Sequence, residues 1–113
     1  MSHITTHVLD VSLGRPAAGV SVILEAQSAA GGWEEAARGA TDFDGRLLEW
    51  AAAKTLPAGT YRLTFDTRAY FAARKIATLY PQVVIVFEVR DTQEDYHIPL
   101  LLSPFGYSTY RGS

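Results

Sequence analysis

A chain of 113 residues, 48% hydrophobic and 19% charged, is long enough to bury a core of its own and too apolar for a disordered segment. Its 10 basic and 12 acidic residues leave a net charge of −2. That balance excludes nucleic-acid binding by broad phosphate neutralisation and offers no polybasic patch to an anionic membrane. Cysteine is absent, so disulfides, thiol catalysis and Cys-based metal sites are excluded, in keeping with a reducing cytoplasm. Met1 to Asp10 has neither a basic nor an apolar leader region, so no secretory signal is expected. The longest apolar runs, Val83 to Phe87 and Ile98 to Leu102, are far short of the ~20 residues of a membrane helix. One soluble, cytoplasmic domain over residues 1–113 is the expectation.

Period-2 apolar patterning between turn signals dominates the chain. Ile4 to Leu9 is the first expected strand, with Ile4, Thr6 and Val8 on the core face and His7 on the other. After the turn Gly14 to Gly19 come Val20 to Ala26 and, past Gly31-Gly32, Trp33 to about Thr41. Asp42-Phe43-Asp44-Gly45 reads as a turn, because Asp caps it locally and Gly supplies a positive φ. A short strand Arg46 to Glu49 follows, and Trp50 to Lys54 is too short to stand as a helix alone. Tyr61 to Asp66 is the next strand, and Ala-rich Ala69 to Ala77 is the one expected helix. Val83 to Val89, Tyr96 to Leu102 and Phe105 to Tyr110 complete the set. Pro99 removes a ladder donor from a strong strand, which indicates either a bulge or unpaired position beside His97, or an irregular strand start. About eight short strands with one helix predict an antiparallel β-sandwich.

Standard catalytic motifs do not fit. Gly106 to Tyr110 lacks the second glycine of a nucleophile elbow and lies on a strand. Read as a calcium loop, the segment around Asp42 to Gly45 would place Ala40 and Ala51 at ligand positions. His3, His7 and His97 are of the right type for a zinc set, although His3 sits near a chain end that tends to fray. His7 and His97 both fall on faces opposite the expected core. Beside Leu9 and Leu101, they mark either plain solvated surface or a partly buried surface shared with something else.

Three segments carry a resemblance. They are His7-Val8-Leu9-Asp10, Thr41-Asp42-Phe43-Asp44-Gly45-Arg46, and the ending from His97 through Ser103-Pro104 to Tyr110-Arg111-Gly112-Ser113. Together with Gly59 to Leu63 and Tyr80-Pro81, they resemble the 5-hydroxyisourate hydrolases, the transthyretin-related proteins of urate breakdown, over essentially the whole chain. The final four residues are the most specific piece, since the hormone-carrying transthyretins end differently. The resemblance implies a transthyretin-like sandwich of two four-stranded sheets and a homotetramer built as a dimer of dimers around a channel. It implies His7, Arg46, His97 and Ser113 as catalytic residues, with Arg46, Tyr110, Arg111 and Gly112 binding the substrate and neither metal nor cofactor required. Within the tail, Tyr110 is expected to anchor by packing its ring, with Arg111 and Ser113 turned toward the pocket. The implied reaction opens the six-membered ring of 5-hydroxyisourate to 2-oxo-4-hydroxy-4-carboxy-5-ureidoimidazoline. Two alternatives are a non-catalytic small-ligand carrier of transthyretin type and a plain structural sandwich module.

The residue types suit ring opening. A cyclic amide needs an activated water, an oxyanion partner and a proton for the leaving nitrogen. Histidine can move both protons near neutral pH. Arginine brings a permanent charge and a planar fork of donors, although a surface ion pair is the usual fate of an arginine after a turn. Either His7 or His97 could be the base on sequence grounds.

Overall fold

The structure, a computed structural model, describes residues 3–48, 50 and 56–113. In chain order the elements are β1 (Ile4–Asp10), β2 (Arg15–Pro16), β3 (Ser21–Gln27), β4 (Trp33–Ala40), β5 (Arg46–Leu47), β6 (Gly59–Phe65), α1 (Thr67–Ala72), β7 (Val83–Val89), β8 (Tyr96–Ser103) and β9 (Gly106–Thr109). The expected strand Arg46 to Glu49 is described only as Arg46–Leu47. Glu49, and the part of Trp50 to Lys54 beyond Trp50, lie outside the described residues. Among the described residues, no helix is long and apolar enough to cross a membrane.

Two sheets form. One is ordered β4-β3-β6-β7 and is antiparallel throughout. The other runs β2-β1-β8-β9, and β5 shares the β1 edge with β2. Leu9 and Asp10 pair with β2 while Thr6 and His7 pair with β5, so two short pieces fill one strand position and the sheet remains four strands wide. Its central pair, β1 with β8, is parallel. The core between the sheets follows the alternation: Ile4, Val8, Ile98, Leu100 and Leu102 meet Val22, Leu24, Tyr61, Leu63 and Phe65, all buried. Thr6 belongs to this buried row, and its hydroxyl donates to the Ile98 carbonyl at 2.6 Å.

The helix departs from expectation. It covers Thr67–Ala72 and not Ala69 to Ala77, because capping and burial outweigh alanine content. Asp66 caps its start by accepting from the Ala69 amide, and Phe71 plugs it into the core. Past Ala73 the chain tightens into turns, with Lys75 at φ 59°, which turns Ile76 back against the core. Pro99 makes no bulge. The β1 register passes it without a shift, and Leu100↔Thr109 and His97↔Gly112 lie on one common register with β9. Its missing N–H falls on the β9 side, opposite Tyr110, and there the ladder is interrupted before it resumes at Gly112.

At the end of β1, the fully buried carboxylate of Asp10 accepts from the Tyr70 hydroxyl (2.7 Å), Arg74 (3.0 Å) and both the hydroxyl and amide of Ser12. Burial pushes its pKa up, but the hydrogen bonds from Ser12, Tyr70 and the Leu13 amide more than offset this, and the net shift is downward. A lowered carboxyl pKa stabilises the fold above the ordinary carboxylate range and loses that contribution as pH falls through the folded-state value. Asp10→Asn is therefore expected to cost about 1–3 kcal/mol at neutral pH. The denaturation midpoint of the variant should also depend less on pH in the acid range than that of the parent.

Candidate active site

Alternation that sends Ile4, Thr6 and Val8 inward sends Thr5 and His7 to the outer face of the sheet. The same rule on β8 turns His97 outward, and the parallel register sets Thr5 opposite His97 and His7 opposite Pro99. Both half-buried histidines thus share one face. Arg46 joins them as the β5 partner of His7.

The turn before β5 explains that placement. The Asp42 carboxylate accepts from the amides of Asp44 and Arg46, each at 2.9 Å, and closes the turn. Gly45, at φ 77°, brings its carbonyl to the Val8 amide at 2.7 Å. A Cβ there would overlap the Val8 carbonyl oxygen and press on Pro16 and Ala17. Gly45→Ala is expected to cost about 1–3 kcal/mol from backbone conformation alone, and more from the overlap. Thermal unfolding reads this directly, and activity should fall with it because β5 carries Arg46.

The two imidazoles are held differently. His7 Nε2 lies 2.9 Å from the Asp44 carbonyl oxygen, which only accepts, so Nε2 carries the proton and Nδ1 is the acceptor of the neutral ring. His97 Nδ1 lies 2.8 Å from the Thr5 hydroxyl, so Nε2 is the nitrogen left for a ligand. Burial lowers the His97 pKa below its ordinary 6.5, and the nearby charges of His7 and Arg46 lower it further. At pH 7 His97 is neutral and able to take a proton.

The tail closes on this ring. The Gly112 amide donates to the His97 carbonyl at 2.8 Å, and a Cβ on Gly112 would fall 2.5 Å from His97 Cδ2. Only glycine lets the main chain lie this close to the imidazole. A cavity of about 320 Å³ results, lined by Thr5, Arg46, Leu48, Asp95, His97, Gly112 and Ser113. His7 is outside this lining and reaches it through Arg46, its register partner, and through its charge on His97. Two larger hollows, of about 570 and 510 Å³, lack a histidine and lie elsewhere.

Of the residues expected from the sequence, Arg46, His97, Gly112 and Ser113 thus meet in one cavity, while Tyr110 and Arg111 of the same chain lie outside it. Arg111 follows the alternation away from Gly112 and stacks 4.5 Å over the Tyr96 ring, with its guanidinium donating to the Asp95 carbonyl and to Glu94. Tyr110 is 57% exposed, so the tail is held by the Gly112–His97 bridge and by Arg111 on Tyr96 and Asp95, and not by a packed tyrosine ring. The three-histidine zinc set does not assemble: among the described residues no group of three or more His, Cys, Asp or Glu side chains is placed to hold a metal. Thr5, Asp44 and Asp95 belong to the surroundings of the site and were not expected. Thr5 was within reach, since it alternates onto the same face as His7. The carbonyl of Asp44 and the position of Asp95 depend on tertiary register.

The HIUase/Transthyretin family model matches residues 4–112. A 5-hydroxyisourate hydrolase of Salmonella dublin is 44% identical over 110 residues, covering 97% of this chain and 80% of the relative. Among solved structures, the 5-hydroxyisourate hydrolase of Klebsiella pneumoniae is similar over the whole of both chains, with a TM-score of 0.88 and 39% identity. Sea bream transthyretin, in complex with thyroxine, has a TM-score of 0.92 and 33% identity over 96% of this chain and 93% of its own. A match along nearly the full chain, on a sandwich whose outer face gathers two histidines and an arginine, makes this chain a member of the HIUase/Transthyretin family.

Proposed function

We propose that this chain is a 5-hydroxyisourate hydrolase, opening the six-membered ring of 5-hydroxyisourate to 2-oxo-4-hydroxy-4-carboxy-5-ureidoimidazoline in urate degradation. The observation that carries the reading is the meeting of Arg46 with a neutral His97 in one small cavity bounded by Gly112 and Ser113. Fold likeness alone does not separate hydrolase from carrier, because the TM-scores to the two kinds of protein are 0.88 and 0.92. The side chains favour the hydrolase: a carrier has no use for an imidazole held neutral beside a guanidinium.

In this reading, water attacks the ring carbonyl carbon while His97 Nε2 takes the water proton. The carbonyl oxygen gains negative charge and is met by the donors of Arg46. The C–N bond then breaks, the ring nitrogen receives the proton from His97, and the carbon that water attacked is left as a carboxylic acid, which ionises to carboxylate by releasing its proton to solvent. His7, with Nε2 committed to Asp44, keeps Nδ1 as a second acceptor, and as the register partner of Arg46 it would assist from outside the cavity lining. Ser113 supplies a polar group to the substrate. No step calls for a metal or cofactor.

A homotetramer arranged as a dimer of dimers is part of the proposal, with Tyr110 and Arg111 serving the substrate in the assembled protein. Its support is the apolar surface on one chain, where Phe105 is 70%, Leu79 63% and Val86 58% exposed. A cytoplasmic setting is proposed with it, in keeping with a chain that has no cysteine to pair in an oxidising compartment. The test is the ultraviolet decay of 5-hydroxyisourate made in place by urate oxidase, with and without this protein. Faster decay that a chelator leaves unchanged supports the reading, and decay at the spontaneous rate refutes it.

A further inference from the structure

The hydrolytic reading requires His97 to keep one nitrogen toward the substrate while it gains and loses a proton. We propose that Thr5 is the positioning residue for His97: its hydroxyl holds Nδ1 in every protonation state of the ring and so keeps Nε2 turned to the cavity. This proposal rests on the hydrolytic reading above.

The geometry is specific. Thr5 and His97 are direct register partners in the parallel β1–β8 pair, and both side chains stand on the outer face. Threonine is β-branched and stiff about χ1, so its oxygen is aimed before the imidazole arrives. On the other side, the main chain at Gly112 closes off the space into which the ring would swing. The imidazole is thus held between a hydroxyl and a glycine.

A hydroxyl is also the partner that a proton-transferring ring requires. It donates to a bare Nδ1 and, after rotating, accepts from Nδ1–H, so the contact survives in both neutral tautomers and in the cation. The Asp44 carbonyl beside His7 only accepts, which fixes that ring as the Nε2–H tautomer. The two histidines therefore differ in kind: His7 is locked and His97 can exchange. A neutral hydroxyl adds no charge of its own. Among the described residues, the charged or titratable side chains around His97 are His7 on β1, Arg46 on β5 and Asp95 just before β8, and burial together with the first two favours the uncharged ring.

Thr5→Val keeps the branched shape and removes the hydroxyl, while Thr5→Ser keeps the hydroxyl. Thr5→Val is expected to lower kcat about 10- to 100-fold with KM changed less than about threefold, and Thr5→Ser to stay within about threefold of the parent. The ring-nitrogen chemical shifts of His97, followed through a pH titration without substrate, give a second reading. The midpoint should fall in Thr5→Val and not in Thr5→Ser, because the hydroxyl bond to the cationic ring is the stronger one to lose. If Thr5→Val does not fold, Thr5→Ala offers the same comparison with less demand on packing. A parent protein that fails to hydrolyse the substrate defeats the hydrolytic reading, while the titration still decides the Thr5–His97 contact. Unchanged kcat and midpoint in Thr5→Val, or a Thr5→Ser as impaired as Thr5→Val, would overturn the assignment.

Discussion

Replacing His97 with Asn is expected to lower kcat by about 10²- to 10⁴-fold, the usual range for loss of a general acid–base group. Asparagine keeps similar size and one polar contact toward Thr5, so the sandwich should unfold as the parent does. The pH profile separates a lost base from a disturbed pocket. Because burial, His7 and Arg46 all disfavour the protonated ring, the neutral form is already populated below pH 6.5. The parent kcat/KM should then rise through one ionisation on the acid side of that value and level off toward neutrality. His97→Asn should lose this limb. A parent profile flat from about pH 5 to 8, or a variant that keeps the limb, argues against His97 as the base.

Removing residues 110–113 is expected to cost about 10²-fold in kcat/KM, the scale of a misplaced catalytic group, with little change in the unfolding temperature. The core strands end before this segment, since β9 stops at Thr109 and the buried residues of β8 are all upstream. What the tail holds is His97 itself, through the Gly112 amide and the close approach of Gly112 to the ring. Gly112→Ala isolates that role. The added Cβ would meet His97 Cδ2 and Pro99 Cγ, so the ring must turn and strain its bond to Thr5. A similar loss is expected from this single methyl group. If both the deletion and Gly112→Ala hydrolyse substrate at the parent rate, the tail has no part in the site.

Much of this was legible in the residues. Strict alternation from Ile4 to Leu9 and from Tyr96 to Leu102 predicts the core rows and the outward histidines, because period 2 leaves one face for each residue. Asp42 and Gly45 predict their turn for the same local reason. What escaped depends on contacts far apart in sequence. The parallel pairing of β1 with β8 joins residues more than ninety positions apart, and only that register makes Thr5 the neighbour of His97. Alanine content places the helix too late because it gives no weight to the Asp66 cap or to burial of Phe71. Arg111 shares its motif with Gly112, but the return of Gly112 to register turns the Arg111 side chain to Tyr96 within one chain, so its proposed role toward the substrate belongs to the assembled protein. The carbonyl that fixes the His7 tautomer is main chain, which no pattern of side chains announces.

The hydrolytic function is tested most directly by counting turnovers with freshly generated 5-hydroxyisourate in large excess over the protein. A hydrolase should consume many equivalents per chain, at a rate proportional to protein concentration and well above the spontaneous one, until the substrate is gone. A carrier of the same fold would remove at most one equivalent per site and leave the rest to decay on its own, and that result would contradict the assignment.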